Sequence, residues 1–154
     1  MTVLSKYLTE TEPLWVLGML RPDKLPEWAA SVLSAGIETE DILQLAVCSP
    51  NDHDCIRSLF EKILRSEGTE KMTIVDALKR YAAQVSRSIL SENMSPREGA
   101  RLIWDATLKA RLPGFHELDP FIYAASEMDD RPLDKALFER AIRAEAKRWV
   151  ESMG

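Results

Sequence analysis

The sequence has little of what secreted and membrane proteins require. Two cysteines among 154 residues are too few for the disulfide framework of a small secreted domain. The longest uncharged apolar stretch near the start, 13–20, falls far short of the roughly 20 residues of a membrane-spanning helix. The first fifteen residues also lack the apolar core of a signal peptide. We therefore expect a cytoplasmic protein with no membrane partner.

Glycine and histidine are also scarce, which bears on catalysis. The six glycines stand singly, mostly where helices are predicted to end, whereas phosphate-binding loops need clustered glycines. No G-x-S-x-G sequence occurs, and two histidines leave little choice of general base for a nucleophile. His116 follows a Pro-Gly turn and is predicted to be a surface loop residue. The sequence predicts a chain that is not an enzyme and has no cofactor.

Two groups of residues nevertheless contain side chains of the kinds that bind metal ions. Cys48, His53 and Cys55 fall within eight residues, and zinc favours thiolate and imidazole ligands. Their spacing matches no usual zinc motif, and a fourth ligand would have to come from far along the chain. We expect no metal there.

The second group is Glu127, Asp129 and Asp130, whose carboxylates are of the kind that bind divalent cations or carry out acid–base chemistry. Helix capping by Asp119 and Asp130 is the simpler interpretation of this region. A metal-dependent enzyme using the three carboxylates is kept as the second alternative function.

What the sequence does contain is helical periodicity. Ile56, Leu59, Phe60, Ile63 and Leu64 lie at i, i+3, i+4, i+7 and i+8, so they share one face of a helix. Cap residues and prolines predict further helix starts, and these are Thr11 with Pro13, Pro26, Thr39, Asn51 or Asp52, Ser95 with Pro96, Asp119 with Pro120, and Pro132.

These signals predict an all-α fold of seven or eight helices joined by short links. Short links bring consecutive helices together antiparallel or at a steep angle. The expected result is a compact array forming one domain, 1–154. The two helices between Gly36 and Gly68 resemble one unit of a helical-hairpin repeat, although no period recurs along the chain.

The net charge of −5 is unevenly distributed. Residues 1–70 carry −6, residues 71–111 carry +4 and residues 112–154 carry −3. An acidic total argues against non-specific nucleic-acid binding, which requires neutralisation of phosphates by cations. The basic segment 71–111 keeps a nucleic-acid-associated helical regulator as the first alternative function.

Acidic side chains suggest two surfaces for a basic protein partner. One includes Glu127, Asp129 and Asp130, and the other includes Glu38, Glu40 and Asp41 in the acidic N-terminal half. Such surfaces steer a basic protein electrostatically. Trp28 is added as a candidate anchor, since exposed tryptophans often dominate binding energy.

Residues 95–132 combine helix starts of the cap-proline type, the sequence Leu-Asp-Pro-Phe and an acidic link. In this the segment resembles small helical bacterial proteins that serve as immunity partners of secreted toxins. The resemblance implies a cytoplasmic inhibitor of a toxin and transfers no site residues. The leading hypothesis is a non-catalytic protein-binding module that neutralises a basic toxin or effector.

Overall fold

A computed structural model of the chain describes residues 3–67 and 72–153. In those ranges the chain forms eight α-helices and two short 3-10 helices, with no strand, so the all-α prediction is confirmed. The elements in chain order are α1 (Val3–Val16), a 3-10 helix (Pro22–Lys24), α2 (Leu25–Ser34), α3 (Glu40–Ala46), α4 (His53–Ser66), α5 (Ile74–Leu90), α6 (Pro96–Ala110), α7 (Asp119–Asp130), a 3-10 helix (Pro132–Asp134) and α8 (Lys135–Met153).

Side-chain caps begin three of these helices where the sequence predicts them. Thr39 Oγ1 accepts a hydrogen bond from the Ile42 backbone N–H at 3.2 Å. Asp52 Oδ1 accepts from Cys55 N–H at 3.4 Å, and Ser95 Oγ accepts from Glu98 N–H at 3.1 Å. Each cap satisfies a backbone donor that has no partner within its own helix, which fixes the start of the helix.

Other predicted boundaries are wrong. Thr11 and Pro13 do not start a helix, because both lie inside α1, where Pro13 is buried. Proline costs an interior hydrogen bond, and burial of Leu4 and Leu8 on the same helix offsets that cost. The predicted cap residue Gly68 lies outside the described residues.

The two predicted aspartate caps are also wrong. Asp119 is the first residue of α7, which Leu118 precedes as cap residue, and Asp130 is the last residue of the same helix. Pro132 begins a 3-10 turn, so α8 starts only at Lys135. Proline favours the first position of either kind of helix, so the sequence signal did not distinguish them.

The chain divides into two compact units, Met1–Thr73 and Ile74–Gly154. The predicted single domain, 1–154, stays a prediction. In the first unit α3 packs against both α2 and α4. Phe60 is fully buried at the centre of the core, and the rings of Trp15 and Trp28 meet it edge-on at centroid distances of 5.0 and 5.5 Å.

In the second unit α5 and α7 each pack against both α6 and α8, and α6 also contacts α8. Small residues let these helices approach closely, and Ala82, Gly99, Ala100 and Ala146 are all buried. Larger buried side chains, including Phe121 and Ile103, complete the core. Each unit therefore buries an apolar core of its own, which supplies the main folding force.

Candidate functional site

The helix α3 has one buried face and one exposed face. Ile42 and Leu45 are fully buried in the core of the first unit. Leu43 lies on α3, and Val47 follows its last residue as the cap residue, four positions along, so the two lie on the same side at the end of the helix. Their side chains are 47% and 84% exposed. The packing of Ile42 and Leu45 fixes the rotation of the helix and so leaves these two aliphatic residues uncovered.

Carboxylates flank this exposed pair. Glu40 lies one turn before Leu43 and is exposed, and its Oε1 accepts a hydrogen bond from Gln44 Nε2 at 3.3 Å. Glu38 is exposed just before the helix. We call Glu38, Glu40, Leu43 and Val47 the α3 surface. An apolar centre with a charged rim is typical of protein-binding patches.

The electrostatics of the first unit favour a cationic partner for this surface. Its sequence, 1–73, has twelve acidic and seven basic side chains, so it carries the whole net charge of −5. In the described part of the chain neither Glu38 nor Glu40 forms an ion pair. Asp41 differs, because its carboxylate lies 3.3 Å from Lys62 Nζ on α4. Asp41 thus ties α3 to α4, while the two glutamates keep their charge available.

The predicted anchor Trp28 is half-buried against Phe60. Its ring fills space in the core of the first unit, and a further part in binding stays a prediction. Trp15 and Trp104 are likewise half-buried, and Trp149 is buried. The indole Nε1–H of Trp149 finds no hydrogen-bond partner in the described residues, although a buried indole usually has one.

The acidic edge predicted at Glu127, Asp129 and Asp130 is partly neutralised within the second unit. Asp129 lies 2.5 Å from Arg97 and 3.7 Å from Arg101, both on α6. Glu127 lies 3.7 Å from Arg131. Asp130 is exposed at the end of α7. Two of the three carboxylates therefore have cationic partners of their own, which weakens this edge as a surface for a basic protein.

Some cationic side chains of the basic segment 71–111 are likewise paired with carboxylates of the second unit. Besides Arg97 and Arg101, Lys79 lies 3.4 Å from Glu117. Arg101 also stacks over the Trp104 ring, with its guanidinium carbon 5.0 Å from the ring centroid. Lys71 lies outside the described residues. Residues 74–154 contain thirteen acidic and thirteen basic side chains, so no excess of positive charge favours phosphates there.

The described residues contain no group of three or more histidine, cysteine, aspartate or glutamate side chains that could hold a metal ion. Glu127, Asp129 and Asp130 therefore do not form such a metal-binding group. His116 is exposed, and its Nδ1 lies 3.1 Å from Asp119 Oδ2. Cys48 and Cys55 do approach each other, with 3.8 Å between their Sγ atoms.

An open cleft of about 550 Å³ lies in the second unit, between the α5–α6 link and α8. Its charged lining residues are of both signs, and they are Glu92, Arg97, Lys135, Glu139 and Arg143. Lys135 lies 3.8 Å from Glu139, and Arg97 is held by Asp129. The cleft therefore lacks a convergent set of like charges for a charged ligand.

Sequence reasoning identified the carboxylates of the α3 surface and missed its apolar pair. The missed signal was available, because Leu43 and Val47 fall on the face opposite Ile42 and Leu45 in a helical projection. The sequence analysis also did not predict that the thiols of Cys48 and Cys55 lie close together, because their distance depends on the angle between α3 and α4.

None of the helices in the described ranges combines the length and apolar character that a membrane crossing requires. No family model, no curated protein and no solved structure matches the chain.

Proposed function

We propose that this chain is a non-catalytic protein-binding module that uses the α3 surface to bind a basic protein. The observation that supports this function is the exposure of Leu43 and Val47 beside Glu38 and Glu40, which form no ion pair with any residue that the structure describes. The parts of these aliphatic side chains that remain in contact with water add nothing to the stability of the fold. Covered by a partner, the same two side chains would form the apolar centre of an interface.

We further propose that the partner is a toxin or effector that the chain neutralises in the bacterial cytoplasm. Two considerations support this identity. Residues 95–132 resemble immunity-type proteins, and toxins that attack nucleic acids are commonly basic. A net charge of −5 on residues 1–73 would accelerate association with such a protein and would make the rate sensitive to salt.

The test compares two variants of the tagged full-length chain in affinity capture from the native host, at low and moderate salt. Leu43→Ser with Val47→Ser removes the apolar centre of the α3 surface. Leu133→Ser is the matched control, since Leu133 is fully exposed in the second unit. Both sites are exposed, so both variants should retain the wild-type helical circular dichroism.

We expect mass spectrometry to show one stoichiometric basic protein with the wild-type chain and with Leu133→Ser. The double variant should lose that protein by at least about tenfold, equivalent to about 1.4 kcal/mol of binding free energy. Equal recovery by all three chains would exclude the α3 surface. Recovery of nucleic acid instead of protein would refute the binding-module proposal itself.

A further inference from the structure

Cys48 and Cys55 lie on either side of the link between α3 and α4. Cys48 follows the end of α3, and Cys55 is in the first turn of α4, where its backbone N–H is bonded to Asp52. Their Sγ atoms are 3.8 Å apart, and both residues are free thiols. A disulfide bond is about 2.05 Å long, so the two sulfurs would have to approach by about 1.8 Å to be joined.

The two thiols differ in their surroundings. Cys55 is exposed, whereas Cys48 is partly buried and donates its S–H to the Gln44 carbonyl at 3.3 Å. Burial raises the pKa of the Cys48 thiol, and the hydrogen bond and charge of Cys55 and the charge of Asp52 act in the same direction. Cys48 is therefore kept as a thiol, while Cys55 is the sulfur that an external reagent reaches first.

We propose that Cys48 and Cys55 form a site of reversible oxidation, at which a low-molecular-weight disulfide such as glutathione disulfide generates an intramolecular disulfide. This inference does not depend on the proposed binding function. Disulfides in reducing compartments are usually transient and redox-sensing, and two neighbouring thiols of which one, Cys55, is exposed fit that class.

The reaction takes place by two exchanges. The Cys55 thiolate attacks one sulfur of the reagent, breaks its S–S bond and releases one thiol after protonation. Cys48 then gives up its proton to solvent and attacks the Cys55 sulfur, which forms the Cys48–Cys55 bond and releases the second thiol. Two protein thiols and one disulfide thus become one protein disulfide and two small thiols.

The product would tie α3 to α4 at a second point, in addition to the Asp41–Lys62 ion pair. It would close a short loop and forfeit two weak hydrogen bonds, the S–H bond from Cys48 to Gln44 and the contact between the two thiols. Cross-links of this kind restrict the unfolded chain. We expect the oxidised protein to melt about 5 °C above the reduced protein, the shift that a short cross-linked loop gives in a chain of this size.

The test treats the reduced full-length chain with glutathione disulfide and follows intact mass and peptide maps. The wild-type chain should lose the mass of two hydrogens, carry no glutathionyl group and yield a peptide linked through Cys48 and Cys55. A dithiol reductant should reverse the change. In Cys48→Ser the exchange should stop halfway and leave one glutathionyl group on Cys55, while Cys55→Ser should react more slowly than either.

Three results would overturn the proposal, and each is visible in the wild-type chain without any variant. They are a stable glutathionyl adduct on Cys55, a dimer linked between chains, and two unreacted thiols after prolonged treatment. The peptide map of the wild-type chain decides the matter even if a variant folds poorly.

Discussion

Tyr81 illustrates how a single buried side chain links folding to pH. It lies on α5 with its ring in the core of the second unit. Burial raises the pKa of its phenol above the ordinary value near 10, and the charge of Asp105 adds to the shift. The folded chain therefore holds this proton more tightly than the unfolded chain does. Stability from this group is complete below about pH 10 and is lost as pH rises further.

Tyr81→Phe should accordingly reduce the alkaline loss of stability. Above pH 10 the free energy of unfolding should fall less steeply with pH in the variant than in the wild type. The difference in slope is at most about 1.4 kcal/mol per pH unit, the limit for one proton. Urea unfolding at a series of pH values from about 8 to 11 measures it. Tyr123→Phe is the control, because Tyr123 is exposed and its substitution should leave the slope unchanged. Parallel slopes for wild type and Tyr81→Phe would contradict the argument.

Residue-scale features also show what neighbouring sequence can determine. Thr39, Asp52 and Ser95 cap helices in the structure as predicted, because each cap involves a backbone group only three residues away. The prediction for Asp119 was wrong because the sequence signal of a cap followed by proline holds for more than one local geometry.

At the scale of elements, the contact between α5 and α6 depends on a glycine. A Cβ built on Gly99 would lie 2.5 Å from Ile89 Cδ1 and 2.6 Å from Ile89 Cγ1. Ile89 is buried and has little room to move. The missing side chain of Gly99 therefore sets how closely the two helices approach.

Gly99→Ala should destabilise the second unit. Overpacking costs about 1–3 kcal/mol, and better helix propensity returns up to about 1 kcal/mol, so a net loss of about 1–2 kcal/mol is expected. Chemical denaturation of a double-mutant cycle with Ile89→Ala measures it. In the Ile89→Ala background most of the loss should vanish, because the two closest atoms are gone and Val85 Cγ1, at 3.2 Å, remains as the lesser contact. The same loss in both backgrounds would mean that Ile89 is not its cause.

The exposed face of α3 shows how the packing of an element leaves part of its surface uncovered. The sequence predicted a helix beginning near Glu40, and the carboxylates of the α3 surface were among the proposed partner-binding residues. The availability of Leu43 and Val47 depended on which neighbours cover α3, and α2 and α4 cover only its Ile42 and Leu45 side. Contacts between helices are thus what distinguish an apolar core residue from an exposed apolar residue.

At the scale of the whole molecule, the chain has two cores and an uneven distribution of charge. The core around Phe60 is built from residues between Leu4 and Ile63, and Phe121 is fully buried in the second unit. Charge follows the same division, since residues 1–73 carry −5 and residues 74–154 are neutral. Steering of a basic partner would therefore fall to the first unit.

Phe60→Ala and Phe121→Ala form a matched pair of substitutions, one in each core. Each should cost about 3–5 kcal/mol, the usual loss for a buried phenylalanine. In hydrogen exchange followed by mass spectrometry, Phe60→Ala should reduce protection most in α2, α3 and α4, and Phe121→Ala most in α6, α7 and α8. Equal loss across both units from either substitution would instead support the single cooperative domain that the sequence predicts.

The sequence by itself determined the helical class, the helix starts at Thr39, Asp52 and Ser95, and the acidic character of the N-terminal half, because periodicity, caps and charge counts are local properties. Only the tertiary structure decided which charges remain available and which thiols meet. Asp129 is 32 residues from Arg97, and Cys48 meets Cys55 across a turn between helices. Such pairs depend on how helices pack, which is set by the sum of many weak apolar contacts that no short stretch of sequence contains.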